Sequence, residues 1–222
     1  CALNNVGEVY CWGRKFAGMG YYSRHNTPTL VDGISNVSAI ALGGWHSCAL
    51  NNVGDVYCWG DNDSGELGTG DTTGRSTPTI VDGIYSVTAI ASSVFHSCAL
   101  NNVGEVYCWG RKFAGMGYYS RHNTPTLVDG ISNVSAIALG GWHSCALNNV
   151  VYCWGDNYGS TPTIIVGINS VRNIALGGYH SCAVKDDGDV YCWGSNWNGQ
   201  LGTGDTTDRT TPTIVMGINS VR

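Results

Sequence analysis

C-A-L-N-N-V-G-D-V-Y-C-W-G, residues 48–60, is a closed hairpin, and it starts again at Cys1, Cys98, Cys145 and Cys182. In the first copy Val9 and Tyr10 favour a pleated surface. A three-residue loop, Asn5-Val6-Gly7, makes a type I turn and ends in a left-handed position, which glycine fills without strain. That register sets Cys1 directly across from Cys11. Opposed Cα atoms lie roughly 4.5–5.5 Å apart, within reach of a disulfide. The same count joins Cys48 to Cys58, Cys98 to Cys108 and Cys182 to Cys192, and the shortened fourth copy joins Cys145 to Cys153. All ten cysteines are used. Zinc sites want cysteines two to four residues apart, which this spacing does not offer. Paired cysteines throughout a chain imply an oxidising compartment, so an extracellular or cell-surface location is expected, with the secretory signal upstream of Cys1.

Composition narrows the partners. The 222 residues carry a formal charge of −5, and only 12% are charged. No basic surface for nucleic acid is implied, and no apolar run is long enough for a membrane span. Gly is abundant at 32 residues, and Pro occurs five times, once per repeat. Residues 1–222 are read as a single repeat domain.

A period near 50 residues points to a propeller or a solenoid. One unit reads as four strands. Ser38–Leu42 is small and apolar. His46–Leu50 and Asp55–Trp59 form the hairpin. Thr79–Val81 follows Pro78, which places the last strand at an edge. Four antiparallel strands per repeat make one propeller blade. The pattern I-A-x-G-x-x-H-S-C-A-L…G-x-V-Y-C-W-G-x-N-x-x-G-Q-L-G-x-G…P-T-x-V runs in its best copy from Ile174 through Trp193, Asn196, Gly199-Gln200-Leu201-Gly202 and Pro212. It resembles the regulator of chromosome condensation repeat family. The resemblance covers essentially the whole chain. It implies an all-β propeller, usually of seven blades, with the I-A-x-G strand innermost.

The chain departs from that pattern in several places. It has about five blade-equivalents. The fourth hairpin would turn at Asn148-Asn149-Val150, and Val tolerates a left-handed position poorly, so the Cys145–Cys153 bridge is expected to be distorted. Residues 1–53 are identical to residues 98–150. Arg14–Gly20 and Arg111–Gly117 replace N-x-x-G-Q-L-G with R-K-F-A-G-M-G. Five hairpins are accompanied by only four I-A-x-G strands, beginning at Ile40, Ile90, Ile137 and Ile174. This bookkeeping suggests a window of a larger propeller, with a stretch like Asn173–Ser181 filling the gap between Arg222 and Cys1.

The candidate sites are few. His46, His96, His143 and His180 share one repeat position, spaced too widely for a common metal, and each is expected to bond its own blade's backbone. D-N-D-S-G-E at Asp61–Glu66 fails the calcium-loop pattern. No metal and no cofactor are expected. Trp45, Phe95, Trp142 and Tyr179 precede these histidines and are expected to crown one face as a binding platform. Trp12, Trp59, Trp109, Trp154 and Trp193 are expected in the core between blades. Asn36, Asn62 and Asn133 sit in N-glycosylation triplets. No acid–base pair or activated nucleophile stands out. The expected function is a non-enzymatic extracellular scaffold, structural or adhesive, in a fibre or layer. The alternative is a secreted binding module, a protein inhibitor or carbohydrate binder, using the aromatic face. The guanine-nucleotide exchange activity implied by the family's namesake fits poorly with ten paired cysteines. Partners are therefore expected to be a second copy, an extracellular protein or a glycan.

Overall fold

The computed structural model describes residues 1–13, 25–111, 121–218, 220 and 221, and among these every regular element is a strand. The R-K-F-A-G-M-G segments, apart from Arg111, and Arg222 lie outside the described residues. Five antiparallel sheets follow one another along the chain. The first has three strands, β1 (Ala2–Leu3), β2 (Val9–Gly13) and β3 (His25–Leu30). The second is β4 (Val37–Leu42), β5 (His46–Asn51), β6 (Val56–Gly60) and β7 (Arg75–Ile80). The third is β8 (Val87–Ser92), β9 (His96–Asn101), β10 (Val106–Gly110) and β11 (His122–Leu127). The fourth is β12 (Ala136–Leu139), β13 (His143–Asn148), β14 (Val150–Gly155) and β15 (Gly159–Ile164), and the fifth is β16 (Val171–Leu176), β17 (His180–Lys185), β18 (Val190–Gly194) and β19 (Arg209–Ile214). Each is an up-and-down meander, the arrangement of a propeller blade.

The innermost strands β4, β8, β12 and β16 pack successively against one another. Small side chains such as Ala39 and Ala41 permit that crowding. Pro78 falls inside β7, the outer edge of its blade, where a missing N–H costs no ladder bond. Among the described residues the packing runs from the first blade to the fifth, and the ring is not closed. The three-stranded first blade is the one for which the sequence supplies no I-A-x-G strand.

The hairpin register is the one the cysteines require. Cys48 opposes Cys58, Cys98 opposes Cys108, Cys145 opposes Cys153 and Cys182 opposes Cys192. All five bridges are formed, with Cα atoms 4.0 to 4.2 Å apart. Gly7, Gly54, Gly104 and Gly188 hold the left-handed turn position, with φ between 80° and 92°.

The fourth blade corrects an expectation. Its turn does not force Val150 left-handed, and its bridge is not distorted. Asn148 pairs with Val150, and Asn149 alone turns the chain at φ 68°. Two residues have been lost from this hairpin, so side-chain parity is kept and the cysteines still meet. Asn tolerates this conformation where a β-branched residue does not. Replacing Asn149 by Val is therefore expected to cost about 1–2 kcal/mol in denaturant unfolding. Asn149→Gly should fold as well as the parent.

Four apolar cores lie between the five blades, and each is built alike. Along β5, Cys48 and Leu50 face the third blade, where they meet Ala99 and Trp109. Ala49 faces the first blade, where with Trp59 it meets Val9 and Cys11. Trp154 and Trp193 repeat the contact at the next two interfaces. Trp59, Trp109, Trp154 and Trp193 are buried, but Trp12 is 44% exposed. In the other blades this tryptophan packs on the preceding blade, and no described blade precedes the first.

Candidate functional site

The strand alternation that separates His from Ser within one blade brings the two together between blades. His46 and Cys48 face forward, and Ser97 of the next blade faces back. His46 Nε2 lies 2.8 Å from Ser97 Oγ, His96 Nε2 2.8 Å from Ser144 Oγ, and His143 Nε2 2.8 Å from Ser181 Oγ. The expectation that these histidines bond their own blade's backbone is thus corrected, because side chains of opposite parity on successive blades face the same gap. Ser97 donates onward to the Glu66 carbonyl at 3.1 Å, so His46 Nε2–H is the donor to Ser97. The Trp109 indole N–H reaches the same carbonyl at 2.7 Å. The loop of one blade thereby clamps the next.

These His–Ser pairs stitch one blade to the next. His46, Ser97, His96, Ser144 and His143 are all buried, and His143 also lies in the wall of a groove between the fourth and fifth blades. Burial disfavours the imidazolium, holding His46 at about 4. Burial takes His143 to about 4, helped by His180, and His96 to about 3, helped by His46 and His143 on either side. His180, less enclosed, is lowered by the same cause.

The loops between the third and fourth strands differ in a way that shapes the surface. In the second and fifth blades Gly60 pairs with Arg75 and Gly194 with Arg209 across a long loop. Asn62 organises the first of these. Its Nδ2 donates to the carbonyls of Asp71 at 3.0 Å and Thr73 at 3.2 Å, and its Oδ1 accepts from Leu67 N at 2.9 Å. Asn62 is fully buried, so it is withdrawn as a glycan acceptor. Asn36 and Asn133 are exposed at left-handed turns. In the fourth blade Gly155 pairs with Gly159, and only Asp156, Asn157 and Tyr158 lie between. The carbonyl clamp is gone there. The Tyr158 hydroxyl takes its place, accepting from Trp193 Nε1 at 2.9 Å and bonding Ser181. Tyr158→Phe should leave a buried indole N–H unpaired and cost about 1–3 kcal/mol, read as a lower denaturation midpoint with unchanged slope.

The short loop leaves a groove of about 510 Å³ between the fourth and fifth blades. Trp142, Tyr158, Tyr179, Trp193 and Trp197 furnish its aromatic walls. Trp142 stacks on Tyr179 at 6.2 Å and meets Phe95 at 5.0 Å, so three members of the anticipated crown form one ladder across three blades. The Arg111 guanidinium covers Phe95 at 5.0 Å. Trp45 is on the exposed side of the second blade and Tyr179 is also exposed. Trp197, 71% exposed and held by its indole N–H to Asp208 Oδ2 at 3.1 Å, was not anticipated. Its only signal in the sequence is an aromatic inside an otherwise polar loop. Among the described residues no group of His, Cys, Asp and Glu could hold a metal ion, and no helix is long and apolar enough to cross a membrane.

Interlocked four-stranded blades, each stapled by one disulfide and presenting aromatics on one face, define a β-propeller repeat protein. The chain belongs to the regulator of chromosome condensation (RCC1) repeat family, whose model matches residues 6–50, 53–100, 103–147 and 187–222. A second model of the same repeat matches residues 37–66 and 171–200. Among solved structures, Saccharomyces cerevisiae Prp20p, described with its binding to Gsp1p and histones, is 25% identical with a TM-score of 0.84, covering 97% of this chain and 60% of that one. Yeast Prp20 bound by Kap60 is 26% identical with a TM-score of 0.82, covering 97% of this chain and 59% of that one. Human WBSCR16 is 24% identical with a TM-score of 0.82, covering 94% and 62%. The chain thus spans about 60% of the length of these relatives. No curated protein sequence matches it.

Proposed function

We propose that this chain is a non-enzymatic propeller scaffold of the cell surface or extracellular space, and that it adheres to a partner through its aromatic face. The observation that carries this reading is the ladder Phe95, Trp142 and Tyr179 on a body whose ten cysteines are all paired. Structural disulfides persist in oxidising compartments. Aromatic side chains held at a surface supply large contact area at little entropic cost. The yeast relative binds the proteins Gsp1p and histones, which supports partner binding as the role of such a propeller. A layer- or fibre-forming scaffold would use the same face between copies.

The test is retention of the purified, oxidised chain on immobilised extracellular matrix, beside light scattering of the chain alone. Retention that falls roughly tenfold or more in Trp45→Ser/Tyr179→Ser is the expected result. Growth of large particles that the same pair of substitutions abolishes would assign the face to self-assembly. Equal behaviour of parent and variant in both measurements sinks the proposal.

A further inference from the structure

We infer that the groove between the fourth and fifth blades is a binding site for a short neutral oligosaccharide. The inference rests on the reading of the aromatic face as a recognition surface and names the chemistry of its ligand. A sugar ring has a flat C–H face and a rim of hydroxyls, and it needs an aromatic plane beside several small polar groups. The groove supplies both. Trp142 and Tyr179 line it, stacked at 6.2 Å. Trp197 lines it as well, its ring fixed by Asp208 although most of its surface is open to solvent. An exposed indole that is pinned in place loses little freedom when a ligand stacks on it. Asp156, Asn157, Ser195 and Thr210 line the same space with carboxylate, amide and hydroxyl groups. A concave aromatic site with a few polar groups that fix orientation is the usual form of a small-ligand pocket, and about 510 Å³ is within its range.

Hydrogen bonding favours a polyol over the other ligand that aromatic walls attract, a lysine or arginine side chain. Asp208 spends one oxygen on the backbone N–H of Asn196 at 2.6 Å and the other on Trp197 at 3.1 Å. Arg209 sets a guanidinium in the wall, tied to Asp205 at 2.7 Å. Asp156 and Asp208 are both carboxylates, so the discrimination rests on donors. Asn157, Ser195, Thr210 and the Arg209 guanidinium offer N–H and O–H groups that sugar hydroxyls accept and that a cation would leave unpaired. A neutral polyol meets no such penalty. The site exists because the fourth blade has lost the long loop whose counterpart in the second blade buries Leu67 over the following blade. The second blade, with its long loop, does not leave the same opening.

Isothermal titration of the intact, oxidised chain with cellotetraose, chitotetraose and mannotetraose tests the inference, with a hexa-arginine peptide as the cationic probe. At least one tetrasaccharide should bind, and Trp197→Ala and Asp156→Ala should each weaken it roughly tenfold or more. Both residues are exposed, so the thermal unfolding midpoint and far-ultraviolet circular dichroism should be unchanged and loss of binding is not loss of fold. Trp12→Ala, remote from the groove, should bind as the parent does. The inference is overturned if no tetrasaccharide binds at millimolar concentration, if Trp197→Ala binds undiminished, or if hexa-arginine binds the groove instead. Both substitutions lie outside the crown residues used in the retention test. Retention without sugar binding would therefore defeat this inference and leave the adhesive reading standing.

Discussion

Between pH 7.5 and pH 5.5 the chain should lose about 4 kcal/mol of unfolding free energy, an unusually steep dependence for mild acid. The cause is the row of buried imidazoles. His46 and His143 titrate at about 4 and His96 at about 3 in the folded protein, against about 6.5 when unfolded. A depressed folded value means that the unfolded chain binds the protons. The stability these histidines contribute is fully present above about pH 6.5, and it drains away as pH falls from there toward about 4. Each loses about 1.4 kcal/mol at pH 5.5 by the linkage relation, and there are three. Glu66 opposes them, because burial raises its carboxyl and the folded state holds its proton more tightly. Asp71, Asp187 and Asp205, lowered chiefly by hydrogen bonds from Arg75, Lys185 and Arg209, add to the loss only below the ordinary carboxylate range. Urea unfolding at several pH values is the measurement. In His96→Gln the slope should flatten by about a third while stability at pH 7.5 also drops. A parent midpoint that does not move between pH 7.5 and 5.5 would disprove the burial argument.

Reduction of the five bridges should unfold the chain at room temperature. Each closes a loop of ten residues, or of eight in the fourth blade. The chain-entropy relation assigns each about 3 kcal/mol, so their sum reaches the whole stability of an ordinary domain. The bridges also pack as apolar matter. Cys58, Cys108 and Cys153 are fully buried between blades, and Trp109 lies in the same core as Cys48 and Cys58. Tryptophan fluorescence and near-ultraviolet dichroism, followed with and without reductant, should lose their native signals together. A reduced chain that keeps both and melts cooperatively would show that the blade cores alone sustain the fold.

The fold was legible because its information is local and repeated. The spacing of Cys48 and Cys58 with Gly54 between them contains turn, register and bridge at once. The missing inner strand could be counted from the I-A-x-G runs. What could not be read is whatever depends on the neighbouring blade. His46 and Ser97 are 51 residues apart, and only the stacking of blades joins them. Trp12 and Trp59 have the same local sequence, yet one is exposed and the other buried, because burial belongs to the interface. Asn62 reads as a surface sequon but is the centre of its loop. The shortness of the fourth repeat was legible, but the groove it opens depends on how the fifth blade stacks beside it. Tyr158, which replaces the lost carbonyl, has no counterpart in the other copies of the repeat from which a role could be read.

The second, third and fourth blades show His, Cys and Leu on one side and Ser, Ala and Trp on the other, and the fifth repeats this with Val184 for Leu, so these blades couple through the same two unlike surfaces. Such a chain is fault-tolerant. A lesion at one coupling, Ser97→Ala for example, removes the partner of His46 but leaves His143 and Ser181 untouched, and its effect decays within a blade as in other one-dimensional arrays. It also makes blades transferable. A block of 53 residues can recur verbatim at 1–53 and 98–150 beside different neighbours because any forward surface receives any backward one. Individuality is then confined to what the couplings do not use, the outer loops, where this chain has cut one short and opened a groove.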